Sequence, residues 1–149
     1  MTAGELCIRR TITGDPDETV VDAARRMIRE NVGDLVIVEH VGGRVHPIGI
    51  VTDRDLVSGA LARGTPDALH ICLRDVMQRD LVTAYDDEPV ERVLETLEKH
   101  KIRRLPIVDR AGGLQGILTL DDLVAWLREE LDRAANVVEH QASLLAAPR

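Results

Sequence analysis

Two stretches of the chain carry apolar residues at helical spacing, Val20, Ala23, Ala24, Met27 and Ile28 in one and Val90, Val93, Leu94 and Leu97 in the other, and each predicts an amphipathic helix. A short extended piece precedes each, at 11–13 and 81–83, and two apolar runs follow, at 35–38 then 48–52 and at 105–108 then 114–118. The runs of each pair flank a Gly-Gly step, Gly42-Gly43 and Gly112-Gly113, which predicts adjacent strands joined by a turn. Pro89, directly after Glu88, suits the first position of the second amphipathic helix. A further helix follows each strand pair, ending near Arg63 in the first case and running on through Trp126, Leu127, Leu131 and Val138 in the second. The unit is strand-helix-strand-strand-helix, and it occurs twice.

The duplication is visible residue by residue. At an offset of 70, residues 5–38 lie over 75–108 with eight identities in 34 pairs, among them Thr13/Thr83, Asp17/Asp87, Val20/Val90 and Val38/Val108. A three-residue insertion in the first copy, around 45–48, reduces the offset to 67, after which GIVTDRDLV (49–57) faces GILTLDDLV (116–124) with six of nine residues matched. The division that follows is 5–63 for the first repeat, 64–74 for a linker, 75–131 for the second repeat and 132–149 for a C-terminal helical extension. Neither unit, at roughly 60 residues, buries enough surface to be stable alone. The predicted fold is therefore α/β (α+β), with the two sheets packed face to face about a pseudo-twofold axis that leaves two related clefts.

Composition narrows the function classes. The chain is 44% apolar yet has no Phe, one Tyr and one Trp, so the core must be aliphatic. A net charge of -7 argues against general nucleic-acid binding, which needs a surplus of Lys and Arg. Cys7 and Cys72 form no CxxC motif and His40, His46, His70, His100 and His140 are scattered; the expectation is a reduced cytoplasmic protein without a metal site. No apolar signal core and no membrane-spanning run occurs. Enzyme signatures such as a phosphate loop, a nucleophile elbow or a metal set are absent.

The element order, the repeat length and the sequences GIVTDRDL and RRLPIVDRAGGLQGILTLDDL resemble tandem cystathionine-beta-synthase (CBS) domain pairs, or Bateman modules, over nearly the whole chain. In that family the clefts commonly hold AMP, ADP, ATP, NAD or S-adenosylmethionine, and a Gly-apolar-x-Thr/Ser-x-x-Asp signature contacts the ribose. The resemblance places that role on Thr52 and Asp55 in one copy and on Thr119 and Asp122 in the other, after Gly49 and Gly116. A carboxylate three residues after a strand-end Thr can accept from two vicinal sugar hydroxyls. The same spacing is also a helix capping box that needs no ligand, and the two roles can coexist.

The resemblance further implies contacts to the base from Ile12 and Thr13 and from Val82 and Thr83, residues that otherwise read as strand ends. Tyr85 offers a ring to stack on adenine, or is a half-exposed loop residue. For phosphates the resemblance points to Arg103 and Arg104, at the end of the densest basic run, Lys99 to Arg104; the run reads alternatively as a solvated helix end. The first copy has Gly33 and Asp34 at the matching places, so the two clefts should be unequal. Arg54, between two Asp residues, is a weaker phosphate candidate and reads first as solvated surface.

Beyond 121 no Pro or Gly interrupts an apolar stripe of Leu123, Leu127, Leu131, Ala134, Val138 and Leu145. The spacing predicts a helix of about 26 residues, roughly 39 Å long, too long for one small unit to cover. It should mediate homodimerisation, as the resemblance also implies, or else fold back on its own repeat. The expected function is a non-catalytic regulatory module that binds an adenine nucleotide, signals by conformational or dimer-interface change, and acts on a separate regulated protein, with no membrane role. The competing reading is a structural or dimerisation module whose clefts are vestigial.

Overall fold

The computed structural model describes residues 1–146, with side chains described through Gln141. A one-turn helix, α1 (Ala3–Leu6), precedes the first repeat of β1 (Thr13–Gly14), α2 (Val20–Glu30), β2 (Asp34–Val41), β3 (Arg44–Thr52) and α3 (Asp53–Gly59). The second repeat follows with β4 (Ala84–Tyr85), α4 (Val90–His100), β5 (Arg104–Val108), β6 (Leu114–Thr119) and α5 (Leu120–Ala146). Each repeat forms one three-stranded sheet, ordered β1-β2-β3 and β4-β5-β6. The first strand runs parallel to the second and the second antiparallel to the third.

Alternation along the strands sorts their side chains between two cores. Leu35, Ile37 and Val51 pack under α2 and α3 with Ala23, Met27 and Leu56. Leu105, Ile107 and Leu118 pack with Val90, Val93, Leu97 and Leu123 in the same manner. The opposite faces meet each other: Val36 and Val38 contact Ile117, with Val45 and Leu114 at the margin. The sheets thus pack face to face, as predicted.

The three-residue insertion is taken up as a longer hairpin. Both hairpins bulge at the same place, after Ile37 and after Ile107. Beyond the bulge the first adds the pairs Glu39–His46, His40–Val45 and Val41–Arg44. It reverses at Gly42 and Gly43, both at positive φ (57° and 76°), as a two-residue turn of the primed type requires. The second turns at once, held by Asp109, whose Oδ1 accepts from the N–H groups of Ala111 and Gly113 at 2.9 Å each. Those N–H groups hold the Asp109 carboxyl below its usual value, Gly113 most strongly.

The leader of each repeat belongs physically to the other. Ala3 donates to the carbonyl of Glu88 at 2.8 Å and Ile8 to that of Ile117 at 2.9 Å; in the mirrored contacts Leu73 donates to Glu18 at 2.9 Å and Gln78 to Ile50 at 2.9 Å. These pairs map onto one another through the offsets of 70 and 67, so the pseudo-twofold axis is real. Ala3 and Cys7 complete the second core and Leu73 the first. Gly49 and Gly116 lie where the foreign leaders pass. A Cβ on Gly116 would stand 2.6 Å from Cys7 Sγ and 2.8 Å from the Ile8 carbonyl oxygen, and one on Gly49 2.8 Å from Met77 Sδ and 3.0 Å from the Gln78 oxygen.

Several boundaries differ from the sequence-based expectation. β1 and β4 begin at Thr13 and Ala84, two and three residues later than the extended pieces at 11–13 and 81–83, because the parallel rungs to β2 and β5 start only there. Pro89 is the N-cap of α4 rather than its first residue: its ring-fixed φ of −61° suits either position, but its ψ of 144° is extended. The stretch 64–74 contains the 3₁₀ turns Ala68–His70 and, at its end, Leu73–Asp75, and so contributes to packing as well as connection. α5 spans 27 residues, close to the predicted length. Leu123 is fully buried and Trp126 packs at the core margin, whereas Leu127, Leu131 and Val138 are 39%, 71% and 66% exposed; Leu145 lies outside the described side chains. Among the described residues no helix is long and apolar enough to cross a membrane.

Candidate functional site

A cleft of about 420 Å³ lies between the repeats and draws on both. The first repeat supplies Ile50 and Thr52 from the end of β3 and Asp53 and Arg54 from the start of α3. The second supplies Gln78, Asp80, Leu81 and Val82 before β4, and Lys101 to Arg104 between α4 and β5. The helix end explains the last group: Lys101 closes α4 in the left-handed conformation, φ 54°, and the reversed chain carries the next residues along the cleft edge.

Thr52 and Asp55 form a complete capping box. Asp55 Oδ2 accepts from the Thr52 N–H at 2.8 Å and its hydroxyl at 2.9 Å, and Asp55 N–H donates back to Thr52 Oγ1 at 3.2 Å. The carboxylate lies one layer behind the cleft wall, and Gln78, which lines the wall, donates Nε2 to its Oδ1 and Oδ2 at 3.3 and 3.2 Å. Thr119 and Asp122 repeat the box at 2.9, 2.6 and 3.2 Å. The residue matching Gln78 there is Ile8, which has no amide to offer Asp122. Both carboxylates therefore cap helices already, and each keeps lone-pair capacity for a further donor.

The structure brings Thr52, Val82, Arg103 and Arg104 to one cleft. Thr119 and Asp122 stand at the pseudo-symmetric position, where the residues matching the two arginines are Gly33 and Asp34. Ile12 packs against the first core, and Thr13 lines a smaller concavity of about 230 Å³ with Thr11, His40 and Gln115. Thr83 is exposed. Tyr85 is 39% exposed and carries the Arg110 guanidinium 4.1 Å over its ring centroid, with Arg110 fixed by Asp87 at 2.8 Å; neither Thr83 nor Tyr85 is among the residues lining the larger cleft.

Electrostatics set the two positions apart. Arg103 pairs with Asp121 at 3.2 Å on an exposed surface, an interaction that water and salt readily loosen. Arg104 Nε meets Asp34 Oδ2 at 2.6 Å. These two are the same position of the two repeats, so they touch because they straddle the pseudo-twofold axis. Two arginines there would repel; one Asp and one Arg attract. Burial pushes the Asp34 carboxyl above its usual value, against the pull of Arg104 and with a further push from Asp53.

Gln78, Asp80 and Leu81 are not among the residues the sequence suggests for the site, and Arg54, a weaker phosphate candidate from sequence, does line the cleft. Gln78 and Asp80 lie on a segment the strand pattern leaves unassigned, Leu81 opens the extended piece at 81–83, and Arg54 sits inside the TDRD motif. Among the described residues no cluster of three or more His, Cys, Asp or Glu side chains is arranged to hold a metal.

Comparison with known proteins agrees with the architecture. The family model described as "CBS domain" matches twice, at residues 3–61 and 73–129; the chain belongs to this family and carries a tandem pair. It is 38% identical over 141 residues to the uncharacterized protein MK0525 of Methanopyrus kandleri, covering 89% of this chain and 69% of that protein. It is 35% identical over 122 residues to the inosine-5'-monophosphate dehydrogenase of Methanocaldococcus jannaschii, covering 82% of this chain but only 23% of the enzyme. Among solved structures, the CBS domain pair of protein MJ0100, in complex with 5'-methylthioadenosine and S-adenosyl-L-methionine, superposes with a TM-score of 0.74 at 27% identity, covering 87% of this chain and 98% of that one.

Proposed function

We propose that this CBS pair is a non-catalytic regulatory module that binds an adenosyl ligand in the cleft between its repeats. The observation that carries the reading is the meeting, in one cleft, of the Thr52 strand end from the first repeat with Leu81, Val82, Arg103 and Arg104 from the second. Apolar side chains at 81–82 suit a flat base, the Asp55 carboxylate suits ribose hydroxyls once Gln78 turns aside, and the arginines suit a phosphate. Further support comes from the adenosyl compounds named with the MJ0100 pair.

In this reading the position around Thr119 and Asp122, with Asp34 in place of an arginine, takes a ligand with less negative charge or none. The module works in the cytoplasm as a homodimer whose contact includes the exposed face of α5, around Leu127, Leu131 and Val138. Ligand occupancy changes the angle between the repeats, and a separate regulated protein reads the change. A second reading, a structural module with vestigial clefts, draws support from the capping boxes, which are complete without a ligand.

A thermal-shift panel of AMP, ADP, ATP, NAD and S-adenosylmethionine on wild type, Asp55→Ala and Asp122→Ala separates the two. A ligand at about 100 times its dissociation constant adds about 2.7 kcal/mol. One ligand that raises the melting point, with the shift lost in one Asp variant, supports the sensor; no shift with any ligand supports the structural module.

A further inference from the structure

The pairing across the pseudo-twofold axis bears on which ligand the cleft accepts, and the argument rests on the binding reading above. Arg104 is the one cleft-lining cation whose guanidinium is tied to a side chain from the opposite repeat, through Nε to Asp34 at 2.6 Å, with the two side chains only 35% and 18% exposed. Asp34 stands opposite Thr52 in the β2–β3 register and Arg104 opposite Thr119 in the β5–β6 register. Asp34 does not itself line the larger cleft, but it sits on the strand beside that cleft's Thr52 and reaches the cleft through its contact with Arg104. Asp53, a cleft residue, raises the Asp34 carboxyl and so lies within electrostatic reach of it.

We propose that Asp34 is a charge-limiting residue of the larger cleft: a built-in counter-ion that occupies Arg104 and penalises each added phosphate, so that the cleft favours ligands with few negative charges. The physical basis is simple. A ligand phosphate shares the Arg104 guanidinium with a carboxylate already in place, and repulsion between that carboxylate and the ligand grows with the number of phosphate charges. Shielding from water keeps this interaction from being screened as an exposed pair would be. Arg103, whose partner Asp121 is 83% exposed, is released at little cost and does not set such a limit.

The test uses the full chain and titrates tripolyphosphate, ATP, AMP and adenosine onto wild type, Asp34→Asn and the double variant Asp34→Asn/Arg104→Gln by calorimetry. Asn keeps the shape of Asp34 and removes its charge; Asp34→Thr, suited to a strand, serves if the Asn variant does not fold. The expected result is that Asp34→Asn binds tripolyphosphate and ATP about three- to tenfold more tightly, from the loss of one near, partly shielded negative charge. AMP should gain less and adenosine least, and the double variant should lose the gain. The proposal is overturned if the ratio of ATP to adenosine affinity is the same in wild type and Asp34→Asn, or if tripolyphosphate binds no more tightly to the variant. Failure of the adenosyl reading shows separately, as ATP binding no better than tripolyphosphate.

Discussion

Replacing Gly116 by Ala tests the crossed leaders on which the cleft depends. The new methyl would meet Cys7 Sγ at 2.6 Å and the Ile8 carbonyl oxygen at 2.8 Å. The second contact is backbone, held in place because Ile8 exchanges hydrogen bonds with Ile117 in both directions, at 2.9 and 3.1 Å. Overpacking at such a site costs about 1–3 kcal/mol, which for a chain near 150 residues lowers the melting point by about 2–4 °C per kcal/mol. Gly49→Ala should be milder, because its nearest neighbour is the flexible Met77 thioether at 2.8 Å and the backbone oxygen of Gln78 stands at 3.0 Å. Adding Cys7→Ala to Gly116→Ala should recover only part of the loss, since the Ile8 oxygen remains. Urea and thermal unfolding by circular dichroism measure all three. A Gly116→Ala variant as stable as wild type, or less harmful than Gly49→Ala, would refute the close passage of the leader.

Leu73→Ala, in a stretch that joins the repeats, removes a fully buried side chain of the first core and should cost about 2–5 kcal/mol, read by urea denaturation. Asp34 predicts a pH effect of defined sign: its folded pKa is raised, so its favourable contribution is present below the unfolded value of about 3.9 and is lost as pH rises through the folded pKa. The stability of wild type relative to Asp34→Asn should therefore fall as pH rises above about 3.9 and level off once the folded carboxyl has ionised, and a rising difference would contradict the burial argument. Asp109 has the opposite sign: its pKa is lowered, so the hold on its turn is present above about pH 3.9 and is lost as pH falls through the folded value, visible as lower exchange protection, relative to the intrinsic rate at each pH, for the Ala111 and Gly113 amides. Leu131→Glu or Val138→Glu should lower the mass measured by light scattering while leaving helical content intact.

The architecture was legible because the physics that made it is local and duplicated. The continuous apolar runs of β2 and β5, buried on both faces, and the matched buried triads Val20/Ala23/Met27 and Val90/Val93/Leu97 leave a local trace, and duplication doubles it. The crossed leaders left none: Ala3, Cys7, Leu73 and Met77 belong to cores far from them in the chain, and nothing in a local window says which sheet a leader covers. Gly49 and Gly116 were visible as part of a motif, yet their reason is the backbone of the other repeat rather than the ligand the motif suggests. The cleft was half legible. Thr52, Arg103 and Arg104 could be chosen from motif and charge, but their convergence depends on the axis, as does the contact of Asp34 with Arg104.

Adenosyl binding in the cleft between the repeats can be followed through the backbone amide resonances of the full chain as AMP is added. Binding in this cleft predicts saturable shifts at Thr52, Gln78, Leu81, Val82, Arg103 and Arg104, with the outer face of α5 beyond Trp126 changing only if occupancy reaches the proposed dimer contact. Shifts confined to other surfaces, or none at millimolar AMP and S-adenosylmethionine alike, would contradict it.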